Sequence, residues 1–312
     1  MTSVPVQLTL KQCIGWGDRK NDVLFTGRPQ AASINIVYFG GDIQDYEETM
    51  QKRSSGGGKE HDFTEWNLEA TGRLLFNRFL SAGLGEPHVW TIRASKWCYG
   101  DIACYENFVP QQRNESEPSQ GHQGDRTTGG CLEHLNSLLR SAAGRLSEQH
   151  SLQVLETIDR VPLRIIGFSK GGTAVTQLFY SLACSGLLSR DSFCVESGVQ
   201  LSSEAMLLWQ RVEHFYWLDS GDVGGSSQWP ISDKHFAMVC PSQCAKLHAH
   251  ATVYQLNNTM HPWKAEHFHI FTSLLVKYNL PREVQVHVNR DEAGRTLSGL
   301  RAHFHVLKQF NL

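Results

Sequence analysis

The chain of 312 residues carries 29 Lys and Arg against 31 Asp and Glu, a net charge of −2 at pH 7, with 40% hydrophobic and 19% charged residues. That balance excludes a disordered polyelectrolyte and gives no broad electrostatic pull toward nucleic acid or an acidic membrane surface. No apolar run reaches the length of a bilayer span, and the first residues, MTSVPVQLTLKQCIGWGDRKND, read as neither a signal peptide nor an Arg-rich transit peptide, so the sequence alone predicts a cytoplasmic chain.

Strand signals open the chain at Val4–Leu10 and Asp22–Phe25, followed by the continuous apolar run Ile34–Phe39. A helix pattern spans Glu65–Leu84, a strand His88–Ile92 and a second helix Leu132–Leu146. The strand Leu163–Ile166 leads into a helix over Thr173–Leu187, whose residues Val175, Leu178, Phe179 and Leu182 share one face. Three later strands are predicted at Phe215–Leu218, Ala251–Leu256 and Val284–Val288, with helices over 264–279 and 299–310. Residues 51–62 and 111–130 are polar, glycine-bearing and expected to be mobile surface loops. This alternation predicts one α/β domain over residues 1–312, with a mostly parallel sheet covered by helices on both faces. Eight cysteines are scattered without a small-scaffold spacing and read as buried thiols, not a disulfide framework.

Gly167-Phe168-Ser169-Lys170-Gly171 fits G-x-S-x-G, the strand-to-helix turn that lifts a serine above a sheet. Roughly 0.2 such matches arise by chance in a chain of this composition, so the flanks decide. A strand-like LRII run precedes the motif, and small residues opening an amphipathic helix follow it. Ser169 is therefore the candidate nucleophile of an α/β-hydrolase-like fold; the bland alternative is a strand–Gly–helix turn without chemistry. An oxyanion hole requires two backbone N–H groups. The residue after the nucleophile, Lys170, is the first candidate, and Gly41, in the Gly40-Gly41 pair after the strand INIVYF, is the second. An ordinary tight turn explains that pair equally well.

Chain order then asks for an acid after Ser169 and a histidine last. The loop after Thr252–Leu256 reads Asn257-Asn258-Thr259-Met260-His261 and holds no carboxylate, which moves the role back to Asp219, with Asp222 second. In the last helix Leu300, Phe304, Leu307 and Phe310 share a face; His303 lies at its edge and His305 opposite, toward solvent. His303 is the candidate base. Cys240, Cys244, His248 and His250 form a string with metal-ligating side chains, but its spacing and Pro241 argue against a zinc ribbon. No metal or organic cofactor is expected. Trp217, Trp229 and Trp263 either line an acyl pocket or belong to the core.

IVYFGGDIQDY, WCYGDIACYENFV, RIIGFSKGG, FYWLDSGDVGG, VYQLNNTMHPWKAE and AHFHVLKQF resemble segments of a family named after human chromosome 2 open reading frame 69. The resemblance spans most of the chain and implies a serine-hydrolase-like fold and a mitochondrial home; it supplies no substrate. The sequence thus predicts a serine hydrolase acting on a small-molecule acyl ester or thioester through Ser169, His303 and Asp219. The rival is a non-catalytic protein that keeps the fold and binds a protein partner, and a third reading is a zinc-dependent binder built on Cys240, Cys244, His248 and His250.

Overall fold

The computed structural model describes residues 4–29, 32–55, 59–109, 130–152, 154–188, 201–221 and 228–312. Within these, ten strands form: β1 (Val6–Ile14), β2 (Lys20–Gly27), β3 (Ile34–Phe39), β4 (Pro87–Ile92), β5 (Lys96–Cys98), β6 (Ile102–Cys104), β7 (Leu163–Phe168), β8 (Val212–Leu218), β9 (Lys246–Thr252) and β10 (Arg282–His287). The helices are α1 (Glu47–Ser55), α2 (Leu68–Ser81), α3 (Gly130–His150), α4 (Leu155–Arg160), α5 (Gly172–Cys184), α6 (Ser203–Trp209), α7 (Asp233–Ala237), α8 (Val253–Leu256), α9 (Trp263–Lys277) and α10 (Leu300–Gln309).

Eight strands build one sheet in the order β1-β2-β4-β3-β7-β8-β9-β10, and β5 and β6 pair as a separate antiparallel hairpin. β2 runs antiparallel to β1 and β4, while β4, β3, β7, β8, β9 and β10 are mutually parallel. The central strands INIVYF and LRIIGF are buried at every position, as parallel strands covered on both faces must be. One face packs against α3, α5 and α9 through residues such as Leu135, Phe179 and Phe271. The other packs against α2 and α10 through Phe76, Phe79, Phe304 and Leu307. No helix among the described residues is long and apolar enough to cross a membrane.

Parallel pairing brings the carboxyl ends of β3, β7 and β8 together: Phe39 is in register with Gly167, and Phe168 with Leu218. The crevice outside those ends is where open α/β sheets bind ligands. Close approach there is enforced by glycine. A Cβ on Gly171 would stand 2.1 Å from the Phe39 carbonyl oxygen, and one on Gly41 would stand 2.7 Å from Ser169 Cβ.

The structure corrects three expectations. The predicted strand Ala251–Leu256 divides: β9 ends at Thr252, and Val253–Leu256 forms α8, because Thr252 Oγ1 accepts the Gln255 N–H (3.1 Å) and caps a helical turn. The predicted loop at 51–62 begins inside α1 and resumes as a 3-10 turn over Lys59–Trp66. Within the predicted loop 111–130, Gly130 begins α3, and residues 111–129 lie outside the described residues.

Candidate active site

Ser169 follows β7 immediately and adopts φ +50° before a 3-10 turn, Ser169–Gly171, that delivers the chain into α5. A left-handed backbone on a residue with a Cβ costs about 1–2 kcal/mol and persists only where the surroundings enforce it. Here they are the close-packed glycines on both sides of the turn. Asp219 repeats the conformation one strand over, with φ +48° directly after β8. Two adjacent parallel strands thus end in the same strained turn and project a serine and a carboxylate from neighbouring positions.

Asp219 is fully buried and its groups are held on every side. Its N–H donates to the His250 carbonyl (2.7 Å), and its carbonyl accepts from Gln255 Nε2 (2.8 Å). Oδ1 accepts the Thr252 N–H (2.7 Å). Oδ2 accepts from Thr252 Oγ1 (2.8 Å) and lies 2.6 Å from His303 Nδ1. A carboxylate accepts only, so Nδ1 carries the proton and Nε2 is left as the proton acceptor. The imidazole is steadied by the Phe168 ring, whose centroid is 4.6 Å away. Ser169 and His303 both line one cavity of about 480 Å³. Ile43, Ile102, Leu300 and Phe304 give it apolar walls, and Asp42, Asp101, His261 and Lys264 bring polar groups to it.

The loop after β3 engages the backbone N–H expected as an oxyanion donor. The Gly41 N–H donates to Gln44 Oε1 (2.8 Å), which also accepts from Tyr38 Oη (2.7 Å). Gln44 Nε2 donates to the Trp66 carbonyl (2.7 Å) and to Thr71 Oγ1 (3.1 Å), so the buried amide is fully engaged and keeps Gly41 turned to itself. The β5–β6 hairpin secures the outside of this loop. Ile43 N donates to the Asp101 carbonyl, and Asp42 Oδ1 accepts from Ala103 N, both at 2.8 Å. Ile43 itself sits at φ +61°, an outlier for a β-branched residue and a third strained backbone at this rim. Lys170 lies in the turn that opens α5.

Asp219 and His303 are thus in contact, Ser169 shares one cavity with His303, and Asp222 lies outside the described residues. His305, expected to face solvent, is buried, because α10 is covered on nearly all sides. Trp217 and Trp229 do not line the cavity; both are buried in the core on the other side of the sheet, against Phe271. Trp263 is likewise absent from the cavity wall. The zinc string is not assembled as read. Among the described residues, the side chains at metal-ligand spacing are His248, His250 and Glu283, without Cys240 or Cys244. The Thr252 and Gln255 contacts to Asp219 follow from the position of α8, and a threonine three residues before a glutamine is their one sequence cue.

The chain matches the C2orf69 family over residues 9–157 and 147–281. A zebrafish (Danio rerio) relative called mitochondrial protein C2orf69 homolog is 28% identical over 288 residues, covering 90% of this chain and 74% of its own. The human protein called mitochondrial protein C2orf69 is 22% identical over 303 residues, covering 82% and 70%. Among solved structures, a dienelactone hydrolase-like promiscuous phosphotriesterase from metagenomic libraries is similar with a TM-score of 0.47 at 10% identity, covering 98% of this chain and 96% of that one. The mostly parallel sheet between helical layers, with Ser169 at a strand-to-helix turn, is the α/β-hydrolase-like architecture expected from the sequence.

Proposed function

The chain belongs to the C2orf69 family, and from that premise we propose that it is a mitochondrial serine hydrolase cleaving an ester or thioester through an acyl-enzyme. The observation that carries this reading is the 2.6 Å contact between Asp219 Oδ2 and His303 Nδ1, with His303 sharing one cavity with Ser169 at its strained turn. Ser169 Oγ attacks the acyl carbon while His303 Nε2 takes its proton. The tetrahedral oxyanion collapses, the alcohol or thiol leaves with the proton from His303, and water repeats the sequence on the acyl-enzyme. Asp219 keeps Nδ1 protonated and stabilises the imidazolium formed at each step.

The Lys170 N–H is the first oxyanion donor in this scheme. The Gly41 N–H becomes the second when the developing negative charge draws it from Gln44, because a charged acceptor outcompetes a neutral amide carbonyl. The apolar walls formed by Ile43, Ile102, Leu300 and Phe304 suit an acyl chain, and no nucleic acid partner is proposed for a chain of net charge −2. The mitochondrion replaces the cytoplasm as the proposed location, supported by the names of the zebrafish and human relatives.

The Gly41–Gln44 hydrogen bond favours a second reading, a binding protein that keeps the hydrolase fold with its oxyanion hole closed. Turnover of a panel of p-nitrophenyl esters and acyl thioesters of graded length separates the two. Hydrolysis of at least one by the natural chain, lost in Ser169→Ala, supports the enzyme; equal background rates for both proteins support the binder.

A further inference from the structure

Beneath α10, on the sheet face away from α5, four histidines cross three neighbouring strands: His214 on β8, His248 and His250 on β9, and His287 on β10. His248 and His250 are two residues apart and so point to the same face. Each has one ring nitrogen already used. His248 Nε2 is 2.8 Å from His214 Nδ1, and His250 Nδ1 is 3.0 Å from His287 Nε2. The other nitrogens, His248 Nδ1 and His250 Nε2, are buried and have no hydrogen-bond partner.

Glu283 on β10 is in register with His248 and lies beside both imidazoles. One ligand atom from each of His248, His250 and Glu283 lies within 4.8 Å of the others, and His248 Nδ1 is 3.7 Å from Glu283 Oε2. Gln285 is in register with His250, on the same face as Glu283, and its Oε1 is a third buried atom without a hydrogen-bond partner. Several buried acceptors left unpaired in one place are costly unless a cation or donor serves them all.

We propose that His248, His250 and Glu283 bind a zinc-class divalent ion, with Gln285 Oε1 as an additional oxygen ligand. The second ring nitrogens of the two histidines are tethered to His214 and His287, as the outer partners of metal-bound imidazoles are. A donor set of two nitrogens and oxygens suits zinc, whereas magnesium and calcium take oxygen alone. Tetrahedral zinc at ordinary bond lengths sets its ligands about 3.3 Å apart, so these side chains close by up to about 1.5 Å from the 4.8 Å spread. Lys246 Nζ now lies 2.6 Å from Glu283 Oε2, and Asn311 Nδ2 lies 2.7 Å from Oε1. The half-exposed lysine swings away as the ion takes its place. β10 is the edge strand, and β9 carries the Thr252 that holds Asp219. The ion clamps one to the other and is structural; it touches no reacting atom.

The purified chain, stripped with a chelator and titrated with Co²⁺, tests this. One equivalent with visible bands of tetrahedral intensity is expected, displaced by Zn²⁺ and free of sulfur-to-metal charge transfer. Glu283→Gln, at a partly exposed position, is expected to weaken binding at least 100-fold and to abolish the rise in melting temperature that Zn²⁺ gives the natural chain. The paired Cys240→Ser and Cys244→Ser substitutions are expected to leave binding intact. His250→Gln, checked by circular dichroism, is expected to behave as Glu283→Gln does; if it fails to fold, Glu283→Gln decides alone. Absence of stoichiometric binding, undiminished affinity in Glu283→Gln, or thiolate bands lost with the cysteines overturns the proposal.

Discussion

Asp219 Oδ2 and His303 Nδ1 stand 2.6 Å apart although 84 residues separate them in the chain. Nothing local creates that contact. It exists because β8 ends where α10 crosses the sheet, and because Thr252 donates to both carboxylate oxygens and fixes the acid's orientation.

Asp219→Asn tests the carboxylate. The amide retains the shape, but it no longer stabilises an imidazolium and permits the wrong imidazole tautomer. Turnover of any accepted ester is expected to fall by about 10⁴, with KM nearly unchanged. A fall of less than about tenfold would remove Asp219 from the chemistry.

Thr252 holds that carboxylate through its N–H and its hydroxyl. Thr252→Val deletes the hydroxyl that donates to Asp219 Oδ2 and caps α8, while Thr252→Ser keeps both hydrogen bonds. The valine variant is expected to lose about 2–3 kcal/mol of stability by chemical denaturation and to shift the acidic limb of the pH–rate profile, and serine to restore both. Equal behaviour of the two variants would show that only packing matters at this position.

Gln44→Met removes the acceptor that holds the Gly41 N–H and keeps similar bulk. If Gly41 is an oxyanion donor restrained by Gln44, the rate of reaction with a serine-directed phosphonate is expected to rise several-fold. Stability is expected to fall by about 1–3 kcal/mol as Tyr38, Trp66 and Thr71 lose their partner. A destabilised variant that reacts no faster would assign Gln44 to loop structure alone.

Acid sensitivity follows from His134. Burial, helped by the Arg19 charge, pushes this histidine down to about 3, and its Nε2 pairs with Asn21 Oδ1 at 2.9 Å. In the unfolded chain it titrates near 6.5, so below that pH the unfolded state binds a proton that the folded state refuses. Its contribution is present above about pH 6.5 and is lost as pH falls toward 3, at up to about 1.4 kcal/mol per pH unit. Urea melts from pH 7 to pH 4 are expected to show at least this slope, because burial also pushes down His214, His248, His250 and His287, and His134→Leu to flatten it by one proton. An unchanged slope in that variant would place the sensitivity in other groups.

The parts of this site that sequence made visible share a physical trait. Strands covered on both faces are mostly apolar, so INIVYF and LRII announce themselves, and Ser169 stands at the end of the strand that LRII opens. Asp219 and His303 were reachable through chain order and the missing carboxylate after β9. The strand β9 itself was misplaced, because KLHAHAT alternates histidine with small residues and its histidines are buried against one another instead of facing water. The same reason hid the burial of His305. The capture of Gly41 by Gln44 had no sequence signal, since it depends on how one loop folds back upon a buried amide.

The proposed function requires Ser169 to be an activated nucleophile. Incubation with a fluorophosphonate, followed by intact mass and peptide mapping, tests it without knowledge of the substrate. One covalent adduct per chain is expected, located on Ser169, absent in Ser169→Ala and formed far more slowly in His303→Ala. No adduct on the folded natural chain, or an adduct that persists in Ser169→Ala, would contradict it.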